Sequence, residues 1–534
     1  MHFYFSILFI LLSPPSPATT IGIIDTGFDL DHEFLKPKIY KQDTDEEAIS
    51  WQFHDNSHLK EPVIKDQSLL KEILLYRNMR AKGHTEGLSR DEFEWFNKKS
   101  TDKFFLTEVK KFKKHSHGTF VAGIALREGE NISIFPVRGL HIPTPVVKIE
   151  DNSIPPLIEL KSKTPEEKFK EEVENSADRV VKKFSKICRY LSLNGINVVN
   201  ASYGITYKTI TTKFRERYKH HTTTEISEPK LQKIVKTYFD VLQDRTSKII
   251  QKYSEMLFVF SAGNSGLDND LYDHYPSKIK LPNTLSVGAM NGDFLASFSN
   301  YGVHHVDVGA PGVAILSLVP QVYSKNGQEL YSPSSGTSMA APYVSNLAAQ
   351  LLNLNPKLKP QDVKKIIMDT GDEKDHLKTK LISGSIVNNQ KAIKAALLSK
   401  DMPLETSITL AKSGLIPMEE TVSSELNPHI NTASLQQKVM DVIPKNITPA
   451  EIEEIQTTSE EFSSTLDAEK DKQDNSSQLP LTESDLKPIN ADPVPSNQSG
   501  EQSPLPYVDL TPSSSQASPQ SLQTQDSELE PSLP

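Results

Sequence analysis

Cysteine is almost absent from this chain of 534 residues: Cys188 stands alone, which excludes a disulfide scaffold and any zinc site built on cysteine. Apolar runs long enough to span a bilayer are absent as well. The run at residues 3–12 has ten residues, about half of what a membrane-crossing helix requires. Closed by Ser13-Pro14-Pro15-Ser16-Pro17-Ala18, it has the form of an export signal with a small-residue cleavage site, although Met1-His2 supplies no basic charge. The expectation is therefore a signal peptide over residues 1–18, a secreted or cell-envelope protein, and no transmembrane helix. Excess positive charge is missing too. The net charge is −10, of which residues 401–534 contribute −17, leaving residues 1–400 at +7, too little for a strongly basic nucleic-acid binder. Those last residues are poor in aromatics, with Phe462 and Tyr507 alone, and rich in Pro, Ser and Gln. Such a segment cannot bury enough apolar surface to offset its ordering entropy, so residues 401–534 are expected to be a disordered acidic tail, a possible docking segment for a partner.

What remains, residues 19–400, is long enough for one large core. Apolar stretches at 21–24, 132–140, 196–201, 256–261 and 284–289 read as buried strands. Between them run helical patterns: Ala177, Val180, Val181, Phe184, Ile187, Cys188 and Leu191 recur at helical spacing, and Asn194-Gly195 is a stop. Further helices are predicted over 338–354, 360–369 and 390–398, and Cys188 is expected to be a buried structural thiol. Strands alternating with helices specify βαβ units, hence an α/β fold of three layers, α/β/α, around a largely parallel sheet. Three Lys/Glu-rich stretches, about 40–110, 141–176 and 205–235, interrupt the alternation and read as surface insertions. In the first, Leu69, Leu70, Ile73, Leu74, Phe93, Trp95 and Phe96 predict amphipathic helices packed on the body.

The chemistry lies in Asp25-Thr26-Gly27, His117-Gly118-Thr119 and Gly336-Thr337-Ser338-Met339-Ala340-Ala341-Pro342. Singly each has an ordinary explanation: a turn carboxylate, a plain core or surface histidine with His115 nearby as a decoy, and a helix N-cap. Together they supply a hydroxyl nucleophile, an imidazole base and a carboxylate to orient it. Their order, Asp, His, Ser, is the subtilisin order. The chain resembles the subtilisin-like serine proteases (the subtilase, or peptidase S8, family) in further segments: 199–204, 258–264, 285–289, 306–317 and 384–392.

The resemblance implies that Asp25, His117 and Ser338 form a catalytic triad and that Asn264 donates to the oxyanion. It implies that Ser202, Tyr203, Gly204, Ala262 and Gly263 bind an extended peptide; His274 falls near a pocket-floor position that is often small in the family, or is a loop histidine with no pocket role. The expected function is a serine endopeptidase acting on proteins or peptides through an acyl-enzyme. A catalytically silent scaffold of the same fold, or a peptide ligase or cyclase using the same triad, would share these residues. The chemistry requires no cofactor; a structural calcium ion is compatible with the resemblance, but no ligand set is legible. Two departures from compact family members stand out. Cleavage after Ala18 would leave six residues, 19–24, ahead of Asp25, with no room there for a propeptide, and 92 positions separate Asp25 from His117.

Overall fold

The computed structural model describes residues 19–40, 59, 61–81, 89–129, 131–139, 164–324 and 330–413. The expected leader at 1–18, residues 141–163 of the second charged stretch and the tail beyond 413 lie outside them. The elements are β1 (Thr19–Asp25), α1 (Gln67–Ala81), α2 (Arg90–Thr101), α3 (Lys103–Ala125), β2 (Ile132–Arg138), α4 (Pro165–Leu193), β3 (Val198–Ala201) and β4 (Ile205–Thr206). They continue with α5 (Tyr207–Thr222), α6 (Glu228–Lys252), β5 (Leu257–Ser261), β6 (His274–Tyr275), β7 (Thr284–Asn291), β8 (Phe294–Leu295), β9 (Val308–Pro311), β10 (Ile315–Val319) and β11 (Leu330–Ser334). The last are α7 (Thr337–Leu354), α8 (Pro360–Asp369), β12 (Asp372–Glu373), β13 (Ser385–Ile386), α9 (Asn389–Leu398) and α10 (Leu404–Lys412).

The main sheet runs β12-β13-β9-β7-β5-β3-β1-β2, with β8 attached to β7. Every pair from β13 to β2 is parallel; β12 on β13 and β8 on β7 are antiparallel. Side chains along each strand alternate between two covered faces, so both parities must be apolar. Ile21 and Ile23 of β1, Val198 of β3, and Leu257 and Val259 of β5 pack with Phe120 and Ile124 of α3 and Val344 and Leu347 of α7. Ile24, Val199, Ala201, Phe258 and Phe260 face the other way, onto Phe184 and Leu191 of α4 and Phe239 and Leu242 of α6. Each such side chain contributes about 1.5–3 kcal/mol on burial, which makes the two layers the main source of stability. The fold is the three-layer α/β/α arrangement predicted, and Cys188 lies fully inside the second layer, where burial holds its thiol well above its ordinary pKa.

Three expectations change. The described part of the second charged stretch, 164–176, is no surface insertion but the opening of α4, whose Phe169 and Val173 are buried in the second layer. The stretch 205–235 is no surface insertion: Ile210, Phe214 and Tyr218 of α5 and Leu231 and Val235 of α6 are buried and complete the second layer. Its many Lys, Arg and Glu residues occupy the outer faces, and i,i+4 apolar spacing carries the core side, a pattern that composition averages away. The ordered body also continues past residue 400. In α10, Ser407, Ile408, Leu410 and Ala411 are buried, with Ile408 and Ala411 in the first layer's core, so the boundary drawn at 400 moves to at least 412. The described part of the first insertion forms α1, α2 and the opening turns of α3. Ile73 and Tyr76 pack on Phe105, Val109 and Phe112 in a satellite core that also takes in Val319 and Tyr323.

Candidate active site

Asp25 closes β1, and Ser202 and Ala262 directly follow β3 and β5. These strands are neighbours in the order β5-β3-β1, so the three positions lie along the carboxyl edge of a parallel sheet at a spacing of about 5 Å per strand. This edge is where α/β proteins place their ligands.

His117 reaches the edge from α3. The insertion lengthens this helix toward its N terminus, where the Asp102 side chain accepts from Phe105 N at 3.0 Å. Gly118 lets the helix press on the turn after β1, because a Cβ there would lie 2.2 Å from the Gly27 carbonyl oxygen. With the backbones this close, His117 Nδ1 stands 2.7 Å from Asp25 Oδ1, which also accepts from Thr26 N at 2.7 Å. A carboxylate only accepts, so Nδ1 carries the imidazole proton and Nε2 keeps its lone pair. Asp25 Oδ2 is buried and has no hydrogen-bond partner among the described residues.

Ser338 is the second residue of α7, behind the N-cap Gly336. Its Oγ donates to the Ser202 carbonyl at 3.1 Å, and Ser202 Oγ donates to the Ser338 carbonyl at 3.0 Å. Among the described residues, Ser338 Oγ and His117 share no hydrogen bond. Asn264 is fixed by its oxygen: Oδ1 accepts from Thr337 N at 2.8 Å and from Thr337 Oγ1 at 3.1 Å. Thr337 Oγ1 in turn accepts from Gly263 N at 3.1 Å. The amide Nδ2 of Asn264 donates to no described residue and stands at the N terminus of α7, where the helix dipole favours negative charge.

Asn200 lay within the segment 199–204 without a role of its own, and Ser345 escaped the sequence reading. Asn200 Nδ2 donates to Ser202 Oγ at 2.9 Å, and Ser345 Oγ donates to Asn200 Oδ1 at 3.1 Å, both fully buried. This network ties the end of β3 to the first turns of α7. The signal was available, since a lone Asn inside Val198-Val199-Asn200-Ala201 must find partners in the core.

Of the expected peptide-binding residues, Ser202, Ala262 and Gly263 are buried, Tyr203 is half-buried and Gly204 is exposed. Residues 202–204 lie in no regular strand; β4, just beyond, pairs antiparallel with β6. Gly263 has φ of +112°, a conformation costly for other residues. His274 is 3 % exposed and bonds through Nδ1 to Ser277 Oγ at 2.7 Å. His115, the other histidine considered beside His117, is turned instead to Tyr323, with Nδ1 2.9 Å from the phenol oxygen.

Burial lowers both His115 and His274 to about 4. An unfolded histidine titrates near 6.5, so between pH 6.5 and 4 the unfolded chain binds protons that the native state refuses. Stability is therefore expected to fall as pH drops through this window, by about 1.4 kcal/mol per pH unit for each histidine. Urea midpoints at pH 7.0, 6.0 and 5.0 measure it. Equal midpoints would mean that the two imidazoles titrate normally.

A three-layer α/β/α protein with a buried carboxylate–imidazole pair beside a helix-opening serine is the class that fold and site define. The chain belongs to the subtilase family, whose model matches residues 16–389. It is similar to the Cell wall-associated protease of Bacillus subtilis (strain 168), 43 % identical over 116 residues, 22 % of this chain and 12 % of that protein. Fervidolysin of Fervidobacterium pennivorans is 37 % identical over 131 residues, 22 % of this chain and 18 % of its own. The Extracellular basic protease of Dichelobacter nodosus is 31 % identical over 159 residues, 28 % of this chain and 26 % of its own. The matched stretches thus span well under two thirds of each relative. Among solved structures, Patellamide maturation protease PatG aligns over 72 % of this chain and 92 % of its own at 16 % identity and a TM-score of 0.42. No helix among the described residues is long and apolar enough to cross a membrane, and no group of three or more His, Cys, Asp or Glu among them could hold a metal ion.

Proposed function

We propose that this chain is a serine endopeptidase that hydrolyses protein or peptide substrates through Asp25, His117 and Ser338. The observation that carries the reading is the 2.7 Å contact of His117 Nδ1 with a fully buried Asp25, on the same sheet edge as the serine that opens α7. Rotation of Ser338 about its Cα–Cβ bond exchanges the Ser202 carbonyl for His117 Nε2. The imidazole takes the hydroxyl proton as Oγ bonds to the substrate carbonyl carbon, and Asp25 balances the imidazolium. The oxyanion meets Asn264 Nδ2 and Ser338 N, both fixed before substrate arrives. Collapse breaks the C–N bond, His117 protonates the departing amine, and water repeats the sequence on the ester. Secreted or cell-wall relatives support an exported protease, with residues 1–18 as its signal and the tail beyond the catalytic body as a spacer or docking segment.

The test treats the purified protein with a biotinylated fluorophosphonate and, separately, an unstructured protein substrate. Adduct at Ser338 with cleavage is expected, both lost in Ser338→Ala. Binding of substrate without adduct or cleavage would identify a scaffold, and adduct with ligated products a transferase.

A further inference from the structure

The imidazole of His274 occupies the space between the two backbone segments that flank the nucleophile. A Cβ on Gly204 would lie 2.2 Å from both Cε1 and Nε2 of this ring, and a Cβ on Gly263 2.9 Å from Cδ2 and Nε2. One edge of one ring therefore touches the side-chain positions of both glycines, which bare backbone alone makes possible. The ring is also fixed. Nδ1 is 2.7 Å from Ser277 Oγ, Ser277 is itself fully buried, and neighbouring Tyr275 is anchored by its hydroxyl to Thr246 at 3.0 Å.

The location gives the ring a consequence. Gly263 precedes Asn264, the amide proposed for the oxyanion, and Gly204 lies two residues after Ser202, whose carbonyl holds Ser338 Oγ. The family resemblance implies that the side chain on the carbon next to the attacked carbonyl enters between these segments. We propose that His274 fills this entrance and restricts the residue before the cleaved bond to glycine, alanine or serine. The inference rests on Ser338 as the nucleophile. Because burial lowers the imidazole to about 4, it is uncharged above pH 5 and offers no ionic attraction to an acidic side chain in compensation.

The experiment compares wild type, His274→Gly and His274→Asn on fluorogenic peptides that differ only in the residue before the cleaved bond: Gly, Ala, Leu, Phe, Lys or Glu. Fluorophosphonate labelling of Ser338 is read in parallel, since a small phosphonate needs no side-chain pocket. Wild type is expected to favour Ala over Leu and Phe in kcat/KM by about 10- to 100-fold, and His274→Gly to raise Leu and Phe by about 10-fold or more with Ala little changed. His274→Asn, which is shorter but keeps a polar group for Ser277, is expected to move the same way and stands in should the glycine variant not fold. Wild type accepting Phe as readily as Ala, or labelled variants with unchanged preference, would overturn the assignment. A wild type that neither labels nor cleaves would instead overturn the catalytic reading, and the pocket reading with it.

Discussion

Ser338→Ala and His117→Ala are each expected to lower kcat by a factor on the order of 10⁶, and the double variant to be hardly slower than either. That factor corresponds to about 8 kcal/mol of barrier. The reason lies in the coupling of the two groups. A serine hydroxyl attacks only as its proton leaves, and the proton that the imidazole beside Asp25 takes from it is the one it gives to the departing amine, so losing either part disables the same step. Residual turnover would come from binding and the oxyanion donors, which both variants keep. Steady-state kinetics of the three variants on one peptide measures it. Multiplying losses would mean that the residues act in separate steps, which is incompatible with a triad. Ser338→Ala removes one exchangeable hydrogen bond to the Ser202 carbonyl and should leave folding unchanged, whereas His117→Ala leaves the buried Asp25 carboxylate without its imidazole, so its melting temperature is read beside the kinetics.

The second large effect belongs to Asn264. Asn264→Ala is expected to lower kcat by about 100- to 1000-fold with little change in KM, because the amide meets charge that exists chiefly in the transition state. This side chain also caps the start of α7 through two bonds to Thr337, so alanine removes an acceptor together with the donor. Asn264→Asp separates the two roles. Its carboxylate still accepts from Thr337 but presents a negative oxygen to a negative oxyanion, so kcat should fall at least as far as in the alanine variant while the melting temperature stays near wild type. An aspartate variant with nearly full activity would remove Asn264 from the oxyanion site and leave it a helix cap.

Much of the architecture was legible because parallel strands buried on both faces carry an unbroken apolar run, as at 21–24 and 257–260. Helix ends were legible where capping chemistry is local, as at Pro360 of α8 and Asn194-Gly195 after α4. Composition misled at 205–235, where a dense surface charge concealed the apolar stripe of Ile210, Phe214, Tyr218, Leu231 and Val235. It misled again at 404–412, where nine residues of helix precede a long acidic segment and vanish in its average.

At the candidate site the sequence by itself determined the chemical inventory: an acid, an imidazole, a hydroxyl and an amide, each in a short segment whose glycines and helix-opening residues fix the local backbone. Those constraints act over a few residues, so they can be read from the chain. Only the tertiary structure decided which groups meet. His115 and His117 are two positions apart on one helix, yet the first faces the satellite core of the insertion and the second faces Asp25. Asn264 Oδ1 is taken by Thr337 from 73 positions away, which settles which end of the amide remains free. His274 meets Gly204 and Gly263 because β4 pairs with β6 beside the end of β5. Contacts of this kind depend on strand order and helix packing, which sum weak preferences over the whole chain, and no single segment encodes them.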